Sequence, residues 1–200
     1  MEPGSGKQIL RERDTGRLLH FPIWPLPSPI MLVTLIAALA GDRVIGESSG
    51  RIPWDHPRDR AHFRARTEGR WLLVGRRTYA EMEGWFGDRT PIILTRNEGF
   101  RPFSPAHRIA NSVPTALDLA RANGVPELIV CGGASVYEAT LPFADRLVLT
   151  RLAMALQVAE PVQFPDFAEC GEWCLRQVER WPAADGTSPA RLEVHERKEK

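Results

Sequence analysis

The sequence predicts an α/β fold: a mostly parallel central sheet flanked by helices, with a C-terminal antiparallel hairpin. Three observations lead there. From Met31 onward, short β-type apolar runs alternate with helix-type segments; glycine, proline and asparagine punctuate the joins; and the last two runs are separated only by Ala184-Asp185-Gly186-Thr187. Alternating strands and helices imply crossovers that return each strand in the same direction, whereas a short polar loop returns the chain antiparallel.

The strand-type runs cover 32–39, 71–74, 91–95, 127–131 and 146–152, and the helix-type segments cover 58–67, 77–82, 115–123 and 135–141. Pro57 suits the opening of the first helix, where its missing N–H costs nothing. Pro114 and Thr115 precede the periodic set Ala116, Leu117, Leu119 and Ala120, and Asn123-Gly124 supplies a left-handed stop. The strand over 127–131 runs straight into Gly132-Gly133. Stretches 173–180 and 191–196 form the hairpin that finishes the sheet. In such a sheet, ligands belong at the carboxyl ends of the strands.

Composition bounds the rest. A chain of 200 residues, 43% hydrophobic and 26% charged, builds one core rather than several. Residues 1–30 hold five of the seventeen prolines among alternating charges and read as a flexible arm before a domain over 31–200. A formal charge of +1 provides no field for nucleic acid. The longest apolar run, 31–40, is half the ~20 residues of a membrane crossing, so no membrane partner is expected. Three cysteines, Cys131, Cys170 and Cys174, are too few and too odd for a secreted disulfide framework. No second cysteine or histidine pair completes a metal site, so no metal is expected.

Two clusters carry chemistry. Asp59 falls in the first turn of the Pro57 helix and Phe63 follows four residues later, placing carboxylate and ring on one face. That pair suits a flat, amidine-like heterocycle, which can give the carboxylate two N–H bonds while stacking on the ring. The plainer alternative is a helix-dipole acid and a core phenylalanine. The second cluster is Gly75-Arg76-Arg77-Thr78, Thr95-Arg96 and Gly132-Gly133-Ala134-Ser135, glycines and guanidinium groups at successive strand ends. Together they form a phosphate site, and a dinucleotide is its natural ligand. Taken singly, each is an ordinary solvated arginine or turn.

These motifs, in order, are Leu35-Ile36-Ala37-Ala38, Ile45-Gly46, Pro53-Trp54 with Asp59 and Phe63, Gly75-Arg76 with Thr78, Ile92-Ile93-Leu94-Thr95, and Gly132-Gly133 with Val136-Tyr137. The chain from about Met31 to its end resembles dihydrofolate reductase. The resemblance implies NADPH-dependent reduction of dihydrofolate to tetrahydrofolate, by hydride transfer to pterin C6 with protonation at N5. Asp59 would hold the pterin 2-amino group and N3 with Thr150, and water would deliver the proton. Ile36, Ala38, Phe63, Met82, Phe86 and Cys131 would line the pocket, with Ile52 and Trp54 on the loop that covers it, and Arg89 would take the substrate α-carboxylate.

For NADPH, the resemblance implies Ala38, Ile45 and Gly46 at the nicotinamide. Gly75, Thr78, Cys131, Gly132, Gly133, Ala134, Ser135, Val136 and Tyr137 would run beneath the pyrophosphate. Arg76, Arg77, Leu94, Thr95 and Arg96 would surround the adenosine phosphates. The Gly132–Gly133 peptide is expected to be cis. The implied partners are dihydrofolate and NADPH, with antifolates in the same pocket of a cytoplasmic monomer.

Departures from the family pattern are specific. Arg60 stands where an apolar side chain is common, Ser135 where an arginine sometimes does, and the usual Gly-Asp pair is absent near 159–164, where Glu160 could replace it in steadying the covering loop. Two alternatives remain beside the reductase: an enzyme similar to the pyrimidine reductase of riboflavin synthesis, which lacks the Asp59 helix signature, and a non-catalytic pterin or nucleotide binder.

Overall fold

The computed structural model describes residues 31–168, 171–184 and 186–198; the proline-rich arm, Cys170 and Asp185 of the hairpin loop lie outside them. Among the described residues the strands are β1 Leu32–Ala40, β2 Val44–Glu47, β3 Trp71–Gly75, β4 Thr90–Leu94, β5 Arg108–Ala110, β6 Glu127–Gly132, β7 Arg146–Leu152, β8 Pro161–Gln163, β9 Trp173–Trp181 and β10 Ala190–Arg197. The helices are α1 Pro57–Thr67, α2 Arg76–Glu81, α3 Val113–Ala122 and α4 Ala134–Thr140, and a 3₁₀ turn covers Leu141–Phe143.

The sheet runs β5-β4-β3-β6-β1-β7-β10-β9. The first six strands pair in parallel and β10 and β9 antiparallel. Both faces are covered, as alternate side chains of β1 show. Val33, Leu35 and Leu39 enter a core shared with Ala116, Leu117 and Ala120 of α3 and Val136 and Tyr137 of α4. Ile36 and Ala40 enter the opposite core with Tyr79 of α2, Phe86 and Trp181, against which Phe63 of α1 packs. Period-two alternation in the central strand divides the two cores.

Local chemistry explains the helix ends. The α1 cap is His56, whose Nδ1 accepts the Asp59 N–H at 3.3 Å, with Pro57 in the first turn. The third helix starts at Val113, two residues before the sequence reading, because the Ser112 hydroxyl accepts the Thr115 N–H and Pro114 sits comfortably inside the first turn. It stops at Asn123, and Gly124 follows at φ +66°. Strands β2, β5 and β8, of three or four residues, have no counterpart in the sequence reading: so short a run carries no periodicity. The β2 and β8 strands pair with each other and carry the loop beside the cleft.

Candidate functional site

A cleft of about 1600 Å³ opens at the carboxyl ends of β1, β3, β4 and β6, walled by α1, α2, α4 and the loop after β2. It brings together most of the residues singled out from the sequence: Ile36, Ala38, Ile45, Gly46, Ile52, Trp54, Asp59, Phe63, Met82 and Cys131 on one side. On the other side stand Gly75, Arg76, Arg77, Thr78, Leu94, Thr95, Arg96, Gly133, Ala134, Ser135, Val136 and Tyr137. Four lie off the wall. Thr150 is buried behind Asp59, Gly132 lies under Tyr137, and Phe86 is buried against Tyr79, with ring centroids 5.0 Å apart. Arg89 is held at the far end of α1, its Nε donating to Thr67 Oγ1 at 3.1 Å and its Nη2 to the Arg64 carbonyl at 3.1 Å, with the guanidinium 4.2 Å over Trp85.

Asp59 is the chemical centre of the first half. Pro57 and His56 fix where α1 begins, and the first turn then directs the carboxyl into the cleft. Burial raises its pKa from the ordinary aspartate value; the Thr150 hydroxyl, His62 and His56 oppose that rise. Thr150 is set by register, opposite Ala38 of β1 and Leu192 of β10. Phe63 stacks on Trp85 at 5.1 Å and 25°, making a flat apolar wall beside the carboxylate. Burial pushes the Cys131 thiol far up, so it serves as neutral wall rather than nucleophile.

Other acids also reach the cleft, namely Glu47, Asp55, Glu81 and Glu83. The last three are exposed, and Asp55 pairs with Arg60. Trp85 and His56 are site residues that sequence reasoning missed. The signal for Trp85 is faint, a lone tryptophan after Gly84; that for His56 was present, a polar residue immediately before the Pro57 helix start.

In the second half, backbones approach closely. A Cβ on Gly75 would lie 3.0 Å from Val136 Cγ2 and 3.6 Å from Gly133 N, and one on Gly133 would lie 3.5 Å from Thr78 Oγ1. Gly132 has φ +98°, and a Cβ there would stand 2.7 Å from the Tyr137 ring. The Gly132–Gly133 peptide is cis, and the Tyr137 hydroxyl donates to the Ile36 carbonyl at 2.6 Å. Helices α2 and α4 have six and seven residues and no side-chain caps. Their dipoles are correspondingly small, so the exposed Arg76, Arg77 and Arg96 supply most of the positive charge.

The covering loop is tied at two points: Ser48 N–H donates to the Glu160 carbonyl at 3.1 Å and its hydroxyl to the Glu160 carboxylate, and Arg77 donates to the Ser48 carbonyl. Gly50, at φ +96°, leaves the space where a Cβ would strike the Glu81 carboxylate.

Comparison with known proteins agrees with this geometry. The dihydrofolate reductase family profile matches residues 32–196. Dihydrofolate reductase type 3 of Salmonella typhimurium is 34% identical over 160 residues, covering 80% of this chain and 94% of that protein. The dihydrofolate reductase of Mycobacterium tuberculosis is 33% identical over 151 residues, covering 71% and 88%. Among solved structures, dihydrofolate reductase from Enterococcus faecalis, complexed with NADP(H) and RAB-propyl, superposes with a TM-score of 0.72 at 22% identity, covering 84% of this chain and 97% of that one. A sequence matched almost end to end from Leu32, folded around a cleft with a half-buried carboxylate and a glycine cradle, places this chain in the dihydrofolate reductase family.

Proposed function

We propose that this chain reduces 7,8-dihydrofolate to 5,6,7,8-tetrahydrofolate with NADPH, and that Asp59 is its substrate-orienting acid. The observation that carries the reading is the half-buried Asp59 carboxyl beside the Phe63–Trp85 wall, with the buried Thr150 behind it. A pterin ring laid on that wall presents its 2-amino group and N3 to the carboxylate, and two parallel N–H···O bonds fix its orientation. The raised pKa makes this carboxyl easier to protonate than a free one, which promotes proton delivery by water to N5. Ile36, Ala38, Met82 and Cys131 exclude further water, Ile52 and Trp54 close from the loop, and Phe86 supports the wall from beneath. Arg89, at the far end of α1, takes the glutamate carboxylate of the substrate.

The residues of the second half fit a dinucleotide, because the glycine cradle leaves backbone exposed where side chains would otherwise fill the floor. Gly75, Thr78, Gly132, Gly133, Ala134, Ser135, Val136 and Tyr137 would hold the pyrophosphate. Ala38, Ile45 and Gly46 would hold the carboxamide, and Arg76, Arg77 and Arg96, with Leu94 and Thr95, the adenosine end. NADPH, when bound, supplies the hydride; the protein contributes alignment and a dry pocket. Three arginines favour NADPH over NADH, whose adenosine lacks the doubly charged 2′-phosphate. Antifolates bind the same pocket, and Glu160 steadies the covering loop through Ser48. The enzyme is a cytoplasmic monomer in this proposal.

The deciding assay follows NADPH absorbance with dihydrofolate. Substrate-dependent decay is expected, and its absence at every pH between about 5 and 8 would overturn the reductase reading.

A further inference from the structure

Asp59 has a titratable neighbour that the mechanism above leaves unused. His62 follows it by three positions on α1, and side chains so spaced lie about 5–6 Å apart at Cβ. His62 does not line the cleft; its ring meets the Trp181 indole edge-on, with centroids 6.0 Å apart. Its Nε2 is buried and has no hydrogen-bond partner among the described residues. The other histidine beside the carboxylate, His56, is engaged at both ring nitrogens: Nδ1 accepts the Asp59 N–H and Nε2 faces the Ser188 carbonyl at 3.2 Å. That leaves His62 as the imidazole able to take a proton without breaking an existing bond of its Nε2.

The charges around His62 come from two elements. On α1 they are Asp59, which favours its protonated form, Arg66, which opposes it, and Arg58, whose guanidinium lies 4.7 Å over the same Trp181 ring; on β9 it is Glu179, which favours the protonated form and pairs with Arg58 at 2.6 Å. Burial lowers the His62 pKa and the Asp59 charge raises it, while burial raises that of Asp59 and His62 is among the groups that lower it. The charge of each group thus bears on the titration of the other.

We propose that His62 is a positioning residue of the reductase reaction: packed against Trp181 outside the cleft, it sets through its charge the pH at which Asp59 gives up its proton. The proposal rests on the reductase reading for its consequence in turnover, but not for the coupling itself. With His62 charged, Asp59 is held ionised to lower pH; without that charge, the carboxyl stays protonated to higher pH.

Two substitutions separate charge from packing. His62→Phe keeps an aromatic ring against Trp181 and His62→Gln keeps a polar group, and both remove the charge. Carbon-13 NMR of the Asp59 carboxyl, in the enzyme without ligands, should show its titration midpoint rising by about one pH unit in both variants. The descending limb of the kcat against pH profile for dihydrofolate reduction should move up by the same amount. An unchanged Asp59 midpoint, or a rise confined to one variant, overturns the proposal. Failure of the wild type to reduce dihydrofolate would overturn the reductase reading instead, and the NMR titration would still decide the role of His62.

Discussion

Glu193 offers a test of how charge is used away from the cleft. Its carboxylate is almost fully buried on β10 and receives Arg151 Nε at 2.7 Å, Arg191 Nε at 2.6 Å and His195 Nε2 at 3.1 Å. Burial by itself raises its pKa; the bonds from His195 and Arg151 and the charges of Arg151 and Arg191 outweigh that and bring it to about 2, against an ordinary 4.5. A carboxyl whose pKa is depressed by folding stabilises the protein above its unfolded value, and that stability is lost as pH falls from 4.5 toward 2. The contribution at neutral pH is on the order of 3 kcal/mol, falling to about half that near pH 3. Glu193→Gln preserves shape and removes the charge. Urea unfolding at neutral pH should therefore show a loss of up to about 3 kcal/mol, and a Tm lower by about 5–10 °C. The deficit should narrow as both proteins are taken to about pH 3. A loss of the same size at both pH values would show that packing, not charge, is responsible, and no loss at neutral pH would refute the argument outright.

Other expectations concern the site. Asp59→Asn should lower turnover at neutral pH by about 100-fold or more while leaving NADPH affinity nearly intact in a fluorescence titration. The same variant should resist urea better than wild type at neutral pH: a carboxyl whose pKa is raised by burial destabilises the fold when ionised, and that penalty disappears as pH falls through its folded value. Arg77→Ala and Arg96→Ala should each weaken NADPH about tenfold and NADH much less; equal losses would remove the 2′-phosphate from the argument. Glu160→Ala should free the Ser48 hydroxyl and make the covering loop easier to open by about 0.5–1 kcal/mol, read as faster amide exchange over 47–52.

How far the sequence revealed this molecule depended on the range of the interaction concerned. Helix α1 was legible because Pro57 marks its start, and the Asp59–Phe63 spacing then follows from helical geometry alone. Gly132-Gly133 was legible only in series with Gly75-Arg76 and Thr95-Arg96 at neighbouring strand ends, since by itself it reads as a turn. What escaped is held by distant partners. His56 caps α1 through Ser188 as well as Asp59, Trp85 matters because Phe63 stacks on it, and Arg89 lies at the far end of α1 because Thr67 and the Arg64 carbonyl hold it there. Short β2 and β8 exist only by pairing with each other beside β1, a relation that neither segment announces.

The contact between His56 and Ser188 spans 132 positions of the chain, and Trp181 of β9 stacks on the same imidazole with ring centroids 6.0 Å apart. The start of the helix that presents Asp59 is therefore fastened to the turn between β9 and β10, so a contact far along the chain, and not α1 alone, sets where that carboxylate stands. A change in that turn would reach Asp59 although none of its described residues lines the cleft.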